Sequence, residues 1–169
     1  MTINILKNIV RQLISLVLPV TVLILIPLVI ERDFSIKHIV TLIPGLLFIA
    51  IGLTLLIITI FSFIRIGKGT LAPWSPPEKL VTSGLYRYVR NPMISGVMIT
   101  LLGETISIMS YNLMIWTITF FIINNIYFFL YEEPNLKKRF GQEYLDYKKS
   151  VPRWIPRLSP YDPDSGLNK

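Results

Sequence analysis

The sequence has no cysteine and a single histidine, His38, in 169 residues. The absence of cysteine excludes disulfide bonds, thiol nucleophiles and thiolate metal ligands. One histidine cannot supply a cluster of imidazole ligands, and we do not expect it to form a catalytic triad. The sequence therefore predicts no metal site, and it predicts chemistry that does not depend on cysteine or histidine.

Charge is also scarce, since only 16% of the residues are charged while 52% are apolar and the mean hydropathy is +0.57. The apolar fraction and the hydropathy exceed those of small soluble domains and the charged fraction lies below theirs, which indicates an integral membrane protein. Four apolar segments reach the length of about 20 residues that a bilayer-spanning helix needs. They are residues 13–30, 39–64, 92–109 and 113–131. The predicted fold class is all-α: one polytopic membrane helical bundle with about four transmembrane helices.

Lysine and arginine collect at the N-terminus, in the loop between the second and third segments, and in the C-terminal tail. Four spans place these three regions on one side, and short cytoplasmic loops are enriched in both residue types. Both termini are therefore predicted to be cytoplasmic, and we expect a bacterial inner membrane. We attribute the net charge of +7 to attraction by membrane lipids with anionic headgroups and predict no nucleic-acid binding.

The loop before the third segment ends in the stretch YRYVRNPMISG, which begins at Tyr86. Prolines exclude a continuous helix through the first half of this loop. Thr82 or Ser83 is predicted to cap a short helix that runs through Arg90. The three- and four-residue spacing would place Tyr86, Arg87 and Arg90 on one face of that helix.

Asn91 and Pro92 fit the N-cap and the first position of the third predicted span. A helix N-terminus offers unpaired N–H groups to an anion, and Arg87 or Arg90 would add a bidentate clamp. The alternative is that the arginines only contact lipid phosphates and that the Asn-Pro step is only a cap. The local pattern leaves both interpretations open.

Glu132 and Glu133 follow the fourth segment, where the carbonyl end of a helix disfavours negative charge. Their position is explained if a cation lies nearby, either the loop arginines or a positively charged small molecule. It is also explained if Pro134 starts a new helix whose N-terminal side the two acids occupy.

The tail that follows spaces apolar and aromatic residues at helical intervals, with lysines and acids on the other face. This pattern predicts an amphipathic cytoplasmic C-terminal helix that lies on the membrane surface. The apolar positions are Leu136, Phe140, Tyr144 and Tyr147. The same helix, packed over the loop, would instead close a cytosol-facing pocket.

Glu104 is the only ionisable residue within the four predicted spans. A charged group at mid-helix costs about 2.5 to 3.5 kcal/mol even on the lenient insertion scale, so Glu104 requires an explanation. It shares one broad face of the third span with small and hydroxyl residues that permit close helix approach. These are Gly96, Thr100, Gly103 and Ser107. Glu104 is either a neutral, hydrogen-bonded member of the bundle or an acceptor on the substrate side.

Taken in order, these strings resemble the superfamily of isoprenylcysteine carboxyl methyltransferases and phospholipid methyltransferases. The stretch LVTSGLYRYVRNP is similar to the isoprenylcysteine enzymes, and EEPNLKKRFGQEYLDYKKSVP is similar to their Glu-Glu segment. The strings GKG, NPM and YEEP also resemble phosphatidylethanolamine N-methyltransferases. The chain departs from the isoprenylcysteine pattern at Asn91, where that family has histidine, and at Ile94, where tyrosine is common.

The resemblance implies a methyltransferase that uses S-adenosylmethionine, bound on the cytoplasmic side. The residues it implies for binding the cofactor are Tyr86, Arg87, Asn91, Pro92, Glu132 and Glu133. Arg90 and Glu104 are the predicted catalytic residues. We divide the single membrane domain, residues 1–169, into two N-terminal spans (1–64), a cofactor-binding region (65–157) and a tail (158–169). The missing glycine-rich strand–turn–helix motif excludes a Rossmann-type methyltransferase.

The implied acceptor is a lipophilic small molecule, a lipid or a lipidated substrate. Carboxyl O-methylation of an isoprenylcysteine-like substrate is slightly favoured over N-methylation of a phospholipid amine, which would require a base such as Glu104 or Glu132. A non-enzymatic membrane scaffold or lipid-binding protein with the same fold is the alternative that the substitutions at Asn91 and Ile94 leave open.

Overall fold

The computed structural model describes residues 17–62 and 79–162. Within these ranges the chain is helical and contains no strand. The helices are α1 (Val17–Ile30), α2 (Ile39–Ser62), α3 (Pro92–Ile108), α4 (Tyr111–Tyr127) and α5 (Glu133–Ser150). The all-α prediction is confirmed for these residues. Residues 13–16 of the first predicted span, the proline-containing loop and the end of the tail lie outside the described ranges.

In the part of the chain that the structure describes, two helices are long and apolar enough to cross a bilayer, namely α2 and the continuous helix Tyr111–Ser150. In the second of these a π-helical turn, Phe128–Glu132, joins α4 to α5. The described helices α1 and α3 are apolar but shorter. The lipid-facing sides carry many exposed large apolar residues, such as Ile43 at 68% and Phe61 at 63% exposure. Such surfaces are expected in a bilayer and not in water.

Helices α2 and α3 pack against each other along a seam of glycine and hydroxyl residues. A Cβ added at Gly52 would lie 2.7 Å from the carbonyl oxygen of Gly96, and one at Gly103 would lie 2.7 Å from that of Gly45. Because small residues let helical backbones approach closely, this seam joins the two helices without large side chains. The register, with Gly45 opposite Gly103 and Gly52 opposite Gly96, makes the pair antiparallel.

The small face predicted on the third span is therefore a contact face, and the helix that packs against it is α2. The connection to α4 on the other side is a hydroxyl contact, in which Thr105 Oγ1 lies 3.3 Å from Thr117 Oγ1. An apolar cluster fills the centre between α1, α2, α3 and α4. Its buried members are Leu23, Leu56, Val97, Leu101 and Phe120. The Trp116 indole N–H attaches α1 by donating to the carbonyl oxygen of Val22 at 3.2 Å.

The predicted antiparallel hairpin is formed by α3 and α4. Helix α3 ends at Met109, which adopts a left-handed conformation with φ of 50°, and Ser110 then caps α4 by accepting from the Leu113 N–H at 3.1 Å. The Ser110 hydroxyl also donates to the carboxylate of Glu31 at the end of α1. This end of the bundle lies opposite the N-terminus of α3.

The apolar face of α5 is covered by protein. Tyr144 and Tyr147 are 2% and 3% exposed and pack with Leu80 of the loop and with Val151, which is fully buried. We call residues 151–161 the strap, because this segment runs back from the end of α5 to the loop. Of the two interpretations of the amphipathic helix, the structure therefore supports the one in which it packs over the loop.

Candidate functional site

The segment that leads into α3 is held by the strap. It forms a 3₁₀ turn, Gly84–Arg87, and the predicted helix through Arg90 is wrong. Two features oppose that helix: Gly84 has a φ of 59°, and the backbone groups that a helix would use are bonded to the strap. The Arg90 N–H donates to the Pro152 carbonyl at 2.9 Å, and the carbonyls of Tyr88 and Arg87 accept from N–H groups of the strap at 3.0 and 2.9 Å.

Arg90 links this segment to the acids. Its Nη1 lies 2.8 Å from Oε1 of Glu133, and its Nε donates to the Val151 carbonyl at 2.9 Å. Arginine suits such a site because its planar fork donates in two directions while it remains charged. The acid pair after α4 and the arginine before α3 therefore meet at one end of the bundle.

Glu133 is the centre of a group of cations. Besides Arg90 it binds Lys148 Nζ at 2.6 Å and the guanidinium of Arg153, while its side chain is only 9% exposed. Burial alone would raise the pKa of Glu133, but hydrogen bonds from Lys148, Arg153 and Arg90 outweigh it and lower the pKa to about 2. Glu133 is therefore ionised at neutral pH, with its charge offset by protein cations.

Glu132 has a different environment although it is the adjacent residue. It is partly buried, and no side-chain hydrogen bond to it is found within residues 17–62 and 79–162. Burial and then the neighbouring charge of Glu133 raise the pKa of Glu132 to about 7. Of the two acids, Glu132 is thus the one that remains available to a ligand.

A cavity of about 670 Å³ opens beside Glu132. Its polar end is formed where the loop, the start of α3 and the start of α5 come together, and includes Tyr86, Arg90, Asn91, Glu132, Asn135 and Tyr144. Further along the helices the wall is apolar and includes Leu18, Val22, Val97, Phe120 and Ile123. A volume of this size accommodates a small organic molecule, and its two parts differ sharply in polarity.

Asn91 and Pro92 begin α3 as predicted, with Asn91 at the N-cap and Pro92 in the first turn. The Asn91 side chain does not cap the helix, however, and instead lines the cavity. An N-cap asparagine ordinarily accepts from the second or third helical N–H. Among residues 17–62 and 79–162 the Asn91 side chain has no cap hydrogen bond, and Met93 and Ile94 at the start of α3 both border the cavity. The amide and the first N–H groups of α3 are thus placed to meet a ligand.

Five of the eight residues predicted for the site line this cavity: Tyr86, Arg90, Asn91, Glu132 and Glu133. The structure places the other three elsewhere.

Arg87 extends to the strap, where its Nε donates to the Tyr161 carbonyl at 2.6 Å. Pro92 is buried at the start of α3 and does not border the cavity. Glu104 lies 13 residues further along α3 than Asn91, about 20 Å away along the helix. Its Oε2 is buried without a hydrogen-bond partner among the described residues.

The sequence did not point to several residues of the polar end. Lys148 and Arg153 both bind Glu133, but the sequence shows Lys148 only among the charged residues on the outer face of the tail helix and has no local signal for Arg153. Asn124 and Tyr127 of α4 also line the cavity. Of these two, Asn124 was indicated by the sequence, because it stands in a seven-residue polar stripe with Thr117 and Tyr131, whereas Tyr127 was not.

Comparison with known proteins agrees with the resemblance. A family model described as phospholipid methyltransferase matches residues 40–143. The chain is similar to protein-S-isoprenylcysteine O-methyltransferase B of Arabidopsis thaliana, with 34% identity over 85 residues, 47% of this chain and 40% of the plant protein. It is also similar to protein-S-isoprenylcysteine O-methyltransferase of Schizosaccharomyces pombe, with 36% identity over 85 residues, 47% of this chain and 34% of the yeast protein. The matched part is thus less than half of each relative, and no solved structure matches the chain significantly.

Proposed function

Because the chain belongs to the phospholipid methyltransferase family, we propose that it is a membrane methyltransferase that moves a methyl group from S-adenosylmethionine to a lipophilic acceptor. The observation that carries the proposal is the two-part cavity: one end offers a free carboxylate, a free amide and helix N–H groups, and the rest is apolar. A small zwitterionic donor suits the first part, and a hydrocarbon chain suits the second.

The polar end has the groups that the donor requires. Ionised Glu132 would accept hydrogen bonds from ribose hydroxyl groups or from the ammonium group of the donor. The Asn91 amide and the N-terminus of α3 would receive its carboxylate, a role supported by the uncapped state of that helix end. When bound, S-adenosylmethionine supplies an electrophilic methyl group on a positively charged sulfur. Tyr86, which is 9% exposed at the cavity wall, would exclude water beside it.

Arg90 is better described as a positioning residue than as a catalytic one, because its Nε and Nη1 already donate to Val151 and Glu133. Glu133 has the same role, since three protein cations already surround it. We assign these two residues to the support of the polar end and Glu132 to the ligand. Glu104 and Arg87 have no assigned role in methyl transfer.

For the acceptor we propose a carboxylate on a prenylated cysteine or a similar lipid-linked group. In this reaction a carboxylate oxygen forms the new bond to the methyl carbon while the carbon–sulfur bond breaks and its electron pair stays on sulfur. No proton is released, so no base is needed, and opposite charges disappear in a pocket that excludes water. A reaction without a base agrees with the position of the single histidine of the chain, His38, which precedes α2 at the opposite end of the bundle.

A phospholipid amine is the second candidate acceptor. An ammonium group must lose a proton before it can attack, and a carboxylate whose pKa is about 7 is suited to accept that proton at neutral pH. The description of the matching family and the raised pKa of Glu132 favour this alternative. The names of the two relatives, both protein-S-isoprenylcysteine O-methyltransferases, favour a carboxylate as the methyl acceptor.

The proposal includes a membrane topology. Four spans, formed by α1 to α4, would place both termini, the loop and α5 on the cytoplasmic side of a bacterial inner membrane. The concentration of lysine and arginine at this end supports that orientation. The cofactor-binding region would then be residues 65–157, preceded by two N-terminal spans.

Donor binding is tested by titrating the purified protein in detergent with S-adenosylmethionine. We expect Glu132→Gln to weaken binding about tenfold, or about 1.4 kcal/mol, through loss of a charged acceptor. Glu143→Gln is the matched control, because Glu143 is exposed on α5 and does not border the cavity. Equal affinities in the two variants would remove Glu132 from the site. Absence of binding to folded wild-type protein would favour a lipid-binding scaffold.

The acceptor is tested by methyl-label transfer into N-acetyl-S-farnesylcysteine, into its carboxamide and into phosphatidylethanolamine. Label in the first compound alone supports carboxyl methylation. Label in phosphatidylethanolamine supports the amine reaction, and in that case Glu132→Gln should abolish turnover more completely than it weakens donor binding.

A further inference from the structure

The strap is anchored to the segment before α3 at two points, and the residues between these points lie along the side of the bundle. It starts level with the beginning of α3, where the Pro152 carbonyl accepts from the Arg90 N–H at 2.9 Å. It returns to the same level at Arg157, whose N–H donates to the Tyr88 carbonyl at 3.0 Å. Between these two anchors lie Trp154, Ile155 and Pro156, which we call the strap tip.

The strap tip contacts the apolar part of α4. The Trp154 ring packs at 5.3 Å from the Phe121 ring and at 5.8 Å from the Phe128 ring. Its indole N–H donates to Oδ1 of Asn125 at 3.1 Å, so the only polar atom of the side chain is satisfied. Phe121 precedes Glu132 by 11 residues, or about 16 Å along the helix. The Trp154 side chain therefore extends from the level of Phe128, near the charged end, toward the apolar part of the helix at Phe121.

Exposed apolar side chains continue this surface. Ile155, which follows Trp154, is 79% exposed, and Leu158 is fully exposed. On α4, Ile122 follows the Trp154 contact Phe121 and is 51% exposed. Arg157 stands between Ile155 and Leu158 in the sequence and carries a positive charge of the kind that anionic headgroups attract. An indole with its N–H bonded, flanked by an exposed isoleucine and an arginine, is typical of a membrane–water interface.

We propose that the strap tip is inserted into the cytoplasmic leaflet and that lipid is the partner of Ile155 and Leu158. Lipid contact is then part of what holds the polar end of the cavity together, because Arg153 of the same strap binds Glu133 and Val151 accepts from Arg90. Strap insertion is independent of which methyl acceptor the protein uses.

The absence of native cysteine permits a direct test of depth. Ile155→Cys is labelled with an environment-sensitive fluorophore and reconstituted in vesicles of phosphatidylcholine with phosphatidylglycerol. Glu143→Cys, on the exposed polar face of α5, carries the same label as the matched control. We expect the Ile155 probe to emit at shorter wavelength, to be quenched by nitroxide lipids and to resist iodide in the water, with the reverse behaviour at Glu143.

Equal emission and equal iodide quenching at the two positions would overturn the proposal. So would efficient disulfide cross-linking of unlabelled Ile155→Cys between two chains, because the surface would then be covered by a second copy of the protein. A second variant, Ile155→Asp, reports on the coupling to the cavity. We expect it to weaken donor binding in vesicles while Ile155→Leu does not. If the protein binds no donor at all, the depth measurement still decides where the strap lies.

Discussion

The two sides of α3 are built in opposite ways. Toward α2 the helix presents Gly96 and Gly103, and the backbones meet with no room for a side chain. Toward α1 and α4 it presents Met93, Ile94 and Val97, which border an open volume of about 670 Å³. The side toward α2 thus fixes the position of α3, and the side toward α1 and α4 leaves space for a ligand.

This difference indicates how substitutions on each side will act. On the closed side a larger residue must displace a neighbouring backbone, so the cost appears in stability. On the open side a larger residue enters free space, so the cost appears in binding. The charged end joins the two sides, because Arg90 precedes the N-cap of α3 and its partner Glu133 starts α5. Substitutions ordered by their expected effect test this division.

The largest effect is expected for Gly52→Val in the closed seam. A Cβ at Gly52 would lie 2.6 Å from the Thr100 backbone nitrogen, so α2 and α3 must separate. We expect a loss of about 3 kcal/mol or more in unfolding free energy, measured by denaturation in mixed micelles. Ala50→Val adds bulk to the exposed side of the same helix and should leave stability unchanged. Comparable stability of the two variants would contradict the close packing of α2 against α3.

Glu133→Gln should have the next largest effect. It leaves Arg90, Lys148 and Arg153 without their common anion, and partial solvent exposure of the two last cations reduces the penalty to about 2 kcal/mol. The lowered pKa of Glu133 means that its stabilisation is present above pH 4.5 and is lost as the pH falls toward 2. Acid unfolding of wild type and variant should therefore converge at low pH. A constant difference down to pH 2 would be inconsistent with this ion cluster.

The pH dependence of donor binding should be smaller. Because the pKa of Glu132 is raised to about 7, donor affinity should fall as the pH falls through 7 and the carboxylate is protonated. Glu132→Gln should remove that dependence. The same raised pKa means that this group contributes less folding stability as the pH rises from 4.5 to about 7. A wild-type titration parallel to that of the variant would assign the proton to another group.

Ile123→Trp tests the open side with the mildest expected effect. Ile123 borders the apolar part of the cavity, and a larger side chain should raise the KM for a prenylated acceptor a few-fold while donor affinity stays constant. The adjacent Ile122 is almost equally exposed but faces away from the cavity, so Ile122→Trp is the control. The division between the two sides fails if both variants change KM equally.

The sequence predicted the helices well, because each long apolar segment contains a helix of similar length. The Asn91-Pro92 step also marks the start of α3. The small face of α3 was also evident from residue spacing. Its partner was not, although Gly45, Gly52 and the fully buried Thr59 of α2 recur every seven residues. Those residues stand in a uniformly apolar segment, in which no polar positions distinguish the face that contacts another helix.

The prediction failed where distant parts of the chain decide local structure. The helix expected through Arg90 is replaced by bonds to residues some 60 positions later, and no local signal reports them. The same long-range contact occupies Arg87 through Tyr161. The meeting of Arg90 with the acid pair was anticipated from charge, but the unequal states of Glu132 and Glu133 depend on Lys148 and Arg153, which only the fold brings to one of them.

The π-helical turn at Phe128–Glu132 has a consequence for the orientation of α5. Such a turn contains one residue more than an α-helical turn, and it behaves as a single-residue insertion. If the same residues formed a regular α-helix, everything downstream would be rotated by about 100°. Glu133 would then point away from Arg90, so the wide turn is what keeps the charged start of α5 in phase with the apolar helix before it.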